Sequence, residues 1–181
     1  INYLIKNLTK RNNTTLAIAS DHAGYDLKSQ LKQSFVLEDL GSDSAESVDY
    51  PDYALKMAEH IKNNPDSYGL LVCGSGIGIS IAANRFSHIR AALCKSPEEA
   101  VLARAHNNAN VLVLSGRQTS TEDAKQIITS FLDTEFEGGR HSKRIDKISE
   151  ASMFQKSLVN ADPEIYKSIK EELDRQRYNI E

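Results

Sequence analysis

Between residues 16 and 133, short apolar runs alternate with segments of helical periodicity, and this alternation leaves few folds open. The runs are LAIAS (16–20), VLEDLG (36–41), GLLVCG (69–74), RAALC (90–94) and NVLVLS (110–115). Between them, AGYDLKSQLKQSF sets Ala23, Leu27, Leu31 and Phe35 at steps of four, the spacing of one helix face. YPDYALKMAEHIKNN places Ala54, Met57, Ala58 and Ile61 on one side, and IGISIAANRF reads as a third helix. SPEEAVLARAHNN opens with Ser96 as N-cap and Pro97 at the first position. STEDAKQIITSFLD opens on a capping box, or a near variant, of Ser120 and Asp123.

Strands that alternate with helices at this spacing are joined by right-handed crossovers and form a parallel sheet covered on both faces. The expected fold is therefore α/β, a Rossmann-like three-layer sandwich with a five-stranded parallel sheet, plus C-terminal helices. GLLVCG, apolar throughout, is expected near the centre. Ligands of such sheets bind outside the carboxyl ends of the strands, where the strand order reverses. That rule selects Asp21 and His22, the loop before Tyr50, Cys73 to Ser80, the vicinity of Cys94, and Ser115 to Arg117.

The flanks differ. Residues 1–14 are polar and carry only positive charge, and a loosely held tail is expected there, with an apolar run too short for a signal peptide. Residues 15–158 group as the main domain and 159–181 as a helical extension, with Asp162 as N-cap before Pro163. A formal charge of −3 over 181 residues points to neither a nucleic acid nor a membrane partner. No apolar run reaches the length of a membrane span. Two cysteines suit reduced thiols and a cytoplasmic setting, and neither has zinc-ligand spacing.

LLVCGSGIGISIAAN (70–84) carries the chemistry. Gly74, Gly76 and Gly78 let the backbone approach a ligand, and the helix starting near Ile77 adds its positive end, so an anion site is expected. GxGxG is not the dinucleotide fingerprint, and no acidic residue follows at the required spacing. Cys73 is either a small hydrophobe closing a strand or a thiolate, favoured by the local positive potential, that acts as nucleophile or base. Cys94 has no glycine turn behind it and reads as core. His106, near a helix end, is a capping residue or a reacting group. Asp21 reads as an N-cap, and Tyr50 as a residue held extended before Pro51. Arg140 and Arg144, four apart, would share a helix face amid His141, Lys143 and Lys147; two planar guanidiniums suit a phosphate.

SDHAGYDLK, VDYPDYA, CGSGIGISIAANR, IRAAL, ARAHNNANVLVLSGR and FEGGRHSKRID occur in this order, and over about residues 15–155 the chain resembles the type B ribose-5-phosphate isomerases, a family shared with galactose-6-phosphate isomerase subunits. The resemblance implies aldose–ketose isomerisation of ribose 5-phosphate and ribulose 5-phosphate through an enediolate, in the pentose phosphate pathway, without metal or organic cofactor. It implies that Cys73 is the base, that Ser75 lies beside the reacting oxygens, and that amides from Gly74 to Ser80, those of Gly76, Ile77 and Gly78 among them, hold the enediolate. Another branch uses a Glu at the place of Ile79, which cannot take a proton. His106 matches the residue that opens the sugar ring; Asn107, Asp21 and Tyr50 match residues on the sugar; His22, Arg140 and Arg144 match the phosphate ligands, and Arg117, in SGR, is a further phosphate candidate. In the family the arginine pair is donated by a neighbouring subunit, and the resemblance thus implies a homodimer or a dimer of dimers. Two other readings remain: a six-carbon sugar-phosphate isomerase, and a non-catalytic sugar-phosphate sensor. Residues 162–181 resemble the opening helix of serine hydroxymethyltransferase, so an isomerase cut from a longer fused reading frame is a further expectation.

Overall fold

The computed structural model describes residues 16–151 and 162–178. The expected tail at 1–14, the segment 152–161 and the last three residues of the helical extension lie outside the described residues. Strands β1 (Leu16–Ser20), β2 (Glu38–Asp39), β3 (Tyr68–Cys73), β4 (Ala91–Leu93) and β5 (Val111–Ser115) form one sheet, parallel throughout, in the order β2-β1-β3-β5-β4. Helices α1 (Tyr25–Leu31), α2 (Tyr50–Asn63), α3 (Ile77–Ala83), α4 (Pro97–Asn107) and α5 (Thr121–Asp133) connect and cover it. This is the α/β three-layer sandwich, with β3 central. Helices α6 (Ser142–Ala151) and α7 (Pro163–Tyr178) follow. The chain divides into two compact units between Ser142 and Lys143, inside the stretch 15–158 that the sequence pattern groups together.

The period of two along each strand builds two cores. Leu16 and Ile18, Leu70 and Val72, and Leu112 and Leu114 face Leu27 and Leu31 of α1, Ala100 and Ala103 of α4, and Ile127, Ile128 and Phe131 of α5. Ala17 and Ala19, Leu71 and Cys73, and Val111 and Val113 face Ala54, Met57 and Ile61 of α2 and Ile79 and Ala83 of α3. The expected caps form. Ser96 Oγ accepts from the Glu99 amide, and Asp162 Oδ1 accepts from the Ile165 amide. Ser120 Oγ accepts from the Asp123 amide and donates to Asp123 Oδ2, the variant form of the box.

Three elements are shorter than their sequence patterns predict. The first helix is split: a 3-10 turn, His22–Gly24, precedes α1. A Cβ on Gly24 would lie 2.4 Å from the Val72 carbonyl oxygen, so the turn packs directly on β3. Helix α3 stops at Ala83 because the Asn84 side chain turns to both backbone groups of Ala91, accepting from its N–H and donating to its carbonyl at 2.9 Å each. Strand β2 spans two residues, although the amide of Leu40 still donates to Ile18 and that of Ser42 to Ser20.

Arg104 ties the end of α4 to the amino edge of the sheet. It is 5 % exposed and donates to the Ala109 carbonyl at 2.6 Å, to Asn108 Oδ1 at 2.9 Å, to Tyr68 Oη at 2.8 Å and to the Thr134 carbonyl at 3.3 Å. Its guanidinium also lies over the Tyr68 and Phe131 rings. No carboxylate pairs with it in this set, so the charge is held by neutral acceptors and ring faces. Arg104→Met leaves those acceptors unpaired, and we expect a loss on the order of 3 kcal/mol in urea unfolding with the m-value unchanged. A loss below about 0.5 kcal/mol would show that water replaces the arginine at no cost.

Candidate active site

The strand order reverses between β1 and β3, since β2 lies outside β1 and the rest of the sheet grows from β3. Ser20 pairs in register with Val72, so the next residues, Asp21 and Cys73, meet at the carboxyl edge. The Cys73 thiol donates to Asp21 Oδ2 at 2.9 Å, and Asp21 Oδ1 accepts from the Gly24 amide at 3.0 Å. Asp21 is thus both the expected cap and the partner of the thiol. Both residues are buried.

This pairing reverses one expectation. Burial first, then the hydrogen bond and charge of Asp21, push the Cys73 thiol up to about 11, although the Gly76 and Gly74 amides act in the opposite sense. At neutral pH Cys73 is therefore a thiol rather than a thiolate. Alkylation of Cys73 by iodoacetamide should rise about tenfold per pH unit up to about pH 11, because only the ionised form reacts. Asp21→Asn removes the carboxylate charge that holds the proton on sulfur. We expect faster alkylation at pH 8, followed on the Cys73 peptide by mass spectrometry, and an unchanged rate would mean that burial alone sets the titration. Cys94 is buried and pushed up to about 12 by its burial, as suits a core residue.

The glycine turn begins at Cys73. Gly76 adopts φ +78°, and a Cβ there would sit 2.5 Å from Leu93 Cδ1, so the turn needs a residue without one. Helix α3, only seven residues long, contributes mainly the N–H groups of its first turn. The Ser80 amide already donates to the Gly76 carbonyl and the Ile77 amide to Ser75 Oγ, so the cradle is narrower than Gly74 to Ser80. Ile79 is fully buried in the same cluster as Cys73.

Around this turn lie several predicted residues. Tyr50 is the first residue of α2 rather than an extended residue before it, and its ring covers Gly78, where a Cβ would fall 2.7 Å from Cζ. A Cβ on Gly74 would lie 3.4 Å from Arg117 Nε, which puts the guanidinium beside the turn. His22 Nδ1 engages the backbone of Val48, within 3.2 Å of its carbonyl, and leaves Nε2 for other use. Gly116 falls within the predicted Ser115–Arg117 stretch, but the sequence pattern assigned it no role of its own. A Cβ there would meet the Ala23 carbonyl at 2.6 Å, so the loops after β1 and β5 close together beside β3 only because glycine stands at 116.

The other half of the predicted set lies elsewhere. Helix α4 runs antiparallel to the strands, so its last residues, His106 and Asn107, come to the amino edge, where Arg104 meets Tyr68 at the start of β3. Cys73 ends that strand, five residues on, or about 16 Å away at 3.3 Å per residue. Asn108, in the left-handed conformation, closes the helix, so His106 is not its cap; Asn107 Nδ2 bonds the Leu102 carbonyl. The amide of Glu137 donates to the Ala105 carbonyl and fastens the glycine-pair segment against the helix end. His141 stacks on His106 with ring centroids 4.3 Å apart and planes within 5°. Glu137 Oε2 lies 3.7 Å from Nε2 of each ring, and Arg140 Nε donates to His141 Nε2 at 3.3 Å. Arg140 belongs to the 3-10 turn Gly139–His141 and Arg144 to α6, so the pair is not carried by a single helix.

Among the described residues, His106, Glu137 and His141 are the group with metal-ligand types together, their donor atoms within 4.8 Å. Parallel stacked rings direct their in-plane lone pairs side by side rather than at one point, and Arg140 occupies one of them with a fixed positive charge alongside. These donors fit a cation poorly.

No helix of the described residues is long and apolar enough to cross a membrane. The chain is 53 % identical to a ribose 5-phosphate isomerase of Thermotoga maritima of known crystal structure, with a TM-score of 0.72, covering 76 % of this chain and 98 % of that one. The structure of ribose-5-phosphate isomerase B from Mycoplasma genitalium with bound ribulose-5-phosphate matches with a TM-score of 0.71 and 40 % identity, over 80 % of this chain and 98 % of its own. Ribose-5-phosphate isomerase B of Escherichia coli is 40 % identical over 139 residues, 74 % of this chain and 93 % of that protein. The family model for Ribose/Galactose Isomerase matches residues 16–148, which takes in every strand and both edges of the sheet described above, and this chain belongs to that family.

Proposed function

We propose that this isomerase interconverts ribose 5-phosphate and ribulose 5-phosphate through an enediolate, with Cys73 as base, as a step of the non-oxidative pentose phosphate pathway, and that it works as a homodimer or a dimer of dimers. The observation that carries this reading is the Cys73–Asp21 pair at the strand-order reversal, 2.9 Å apart and beside the glycine turn. In this reading Asp21, which accepts the thiol's hydrogen bond, takes the thiol proton. The thiolate then removes the proton from C2 of the open aldehyde and returns it to C1. Charge that develops on the two oxygens meets the first-turn amides of α3, and the Ser75 hydroxyl passes the proton between those oxygens. Ile79, buried and without a titratable group, leaves the thiol as the base of this turn. The scheme calls on no cofactor, since every proton has a side chain to receive it.

The dimer completes the site. Ring opening needs an acid for the ring oxygen and a base for the anomeric hydroxyl, and His106 stands at the opposite edge of its own sheet from Cys73. A second copy that presents its amino edge to the carboxyl edge of the first would bring His106, Asn107 and Arg140 to Cys73, Tyr50 and Arg117. Ile77 and Ile81, one turn apart on α3 and 57 % and 62 % exposed, offer apolar surface beside the site for that contact.

The test is conversion of ribose 5-phosphate by the purified protein, with galactose 6-phosphate run in parallel. Turnover of the pentose in clear preference is expected. Preference for the hexose would transfer the reading to the six-carbon branch, and calorimetric binding of either sugar without turnover would establish a sensor.

A further inference from the structure

The segment Glu137–His141 contains a side chain to which neither the sequence nor the proposed chemistry assigns a task. His141 is buried, with 5 % of its surface exposed. Its ring face lies on His106, and its Nε2 accepts from Arg140. An acceptor nitrogen carries a lone pair, so the imidazole is neutral with its proton on Nδ1. Two left-handed glycines, Gly138 at φ +67° and Gly139 at φ +56°, and the bond from the His141 amide to the Gly138 carbonyl fold the segment back so that one ring meets both neighbours.

We propose that His141 is a positioning residue that fixes the ring-opening imidazole of His106 and the phosphate-binding guanidinium of Arg140 at a set separation. This rests on the roles given to those two residues above. The chemistry explains why one side chain should serve both. In a pentofuranose 5-phosphate, the ring oxygen that must be protonated and the phosphate are only a few bonds apart, joined through C4 and C5. An acid and a guanidinium that meet both at once must therefore be held to a short, fixed distance, and two side chains without a common anchor would lose that on their own. The flat face of His141 limits the rotation of His106, and its lone pair orients the guanidinium of Arg140, so the two functions belong to different atoms of one residue.

That division makes the test specific. His141→Phe keeps a ring to stack and removes the lone pair. His141→Asn keeps an acceptor and removes the ring. For His141→Phe, we expect KM for ribose 5-phosphate and the inhibition constant of inorganic phosphate to rise about tenfold, the loss of one charge-assisted hydrogen bond, with kcat within about twofold. For His141→Asn, we expect kcat to fall about tenfold with phosphate inhibition unchanged. Parallel shifts of all three constants in both variants would show a merely structural role and overturn the proposal, as would no shift in either. Arg140→Ala and His106→Ala separate this from the underlying reading. If Arg140→Ala leaves phosphate inhibition intact, the role of Arg140 is wrong; if it weakens inhibition and His141→Phe does not, the positioning role is wrong. Nitrogen NMR of the unmodified protein needs no variant to fold: His141 should show its proton on Nδ1, and a proton on Nε2 would rule out the acceptor contact.

Discussion

Cys73→Ala will lower kcat for ribose 5-phosphate by about a thousandfold, the scale of a lost general base, while circular dichroism and the unfolding midpoint stay close to those of the parent. The thiol is small and replaced by a methyl group, so its removal opens little space. Cys73→Ser should be nearly as inactive, because a hydroxyl is a far weaker acid than a thiol and Asp21 cannot draw its proton off. The elevated thiol titration, about 11, does not argue against the base. If the proton passes from sulfur to Asp21 within the pair, the reactive form has the same net charge as the resting form, so its share does not change with pH around neutrality. Asp21→Asn therefore separates two properties that usually move together: the thiol becomes more reactive to alkylation and less effective in turnover. Activity retained in Cys73→Ala would keep the isomerase and require another base.

Mixing two inactive variants will restore activity. Cys73→Ala spoils the carboxyl-edge half of the site, and His106→Ala spoils the amino-edge half. If each site takes one half from each copy, a mixed dimer contains one site with both defects and one with neither. Random co-refolding makes half of the dimers mixed, so roughly a quarter of parental activity should return. The signal rises from near zero and does not depend on a fine comparison of rates. Should the mixture stay as inactive as its components, the two halves do not meet across an interface, and the separation of His106 from Cys73 in one chain would leave ring opening to the solvent.

Much of the fold was legible because its determinants are local. A period of two in the strands, steps of four in the helices, and caps at Ser96, Ser120 and Asp162 involve residues within one turn of each other. The glycine turn after β3 was legible for the same reason, as was the buried character of Cys94. Where local patterns overran, a distant group had intervened: Asn84 turned to Ala91 instead of continuing α3, and Gly24 packed on Val72 instead of joining α1.

The sequence by itself determined the architecture, the family and the identity of the groups with chemistry to offer. Only the tertiary structure decided which of them meet. Asp21 and Cys73 are 52 positions apart, and their contact, with the burial around it, reverses the direction in which the thiol titrates. His106 and Cys73 are both near the ends of their elements, yet a crossover helix runs against its strands and carries them to opposite edges. His141 read as one member of a basic run, until folding buried it against a ring from another helix. Burial and long-range contact set these properties, and neither is written in the spacing of neighbouring residues.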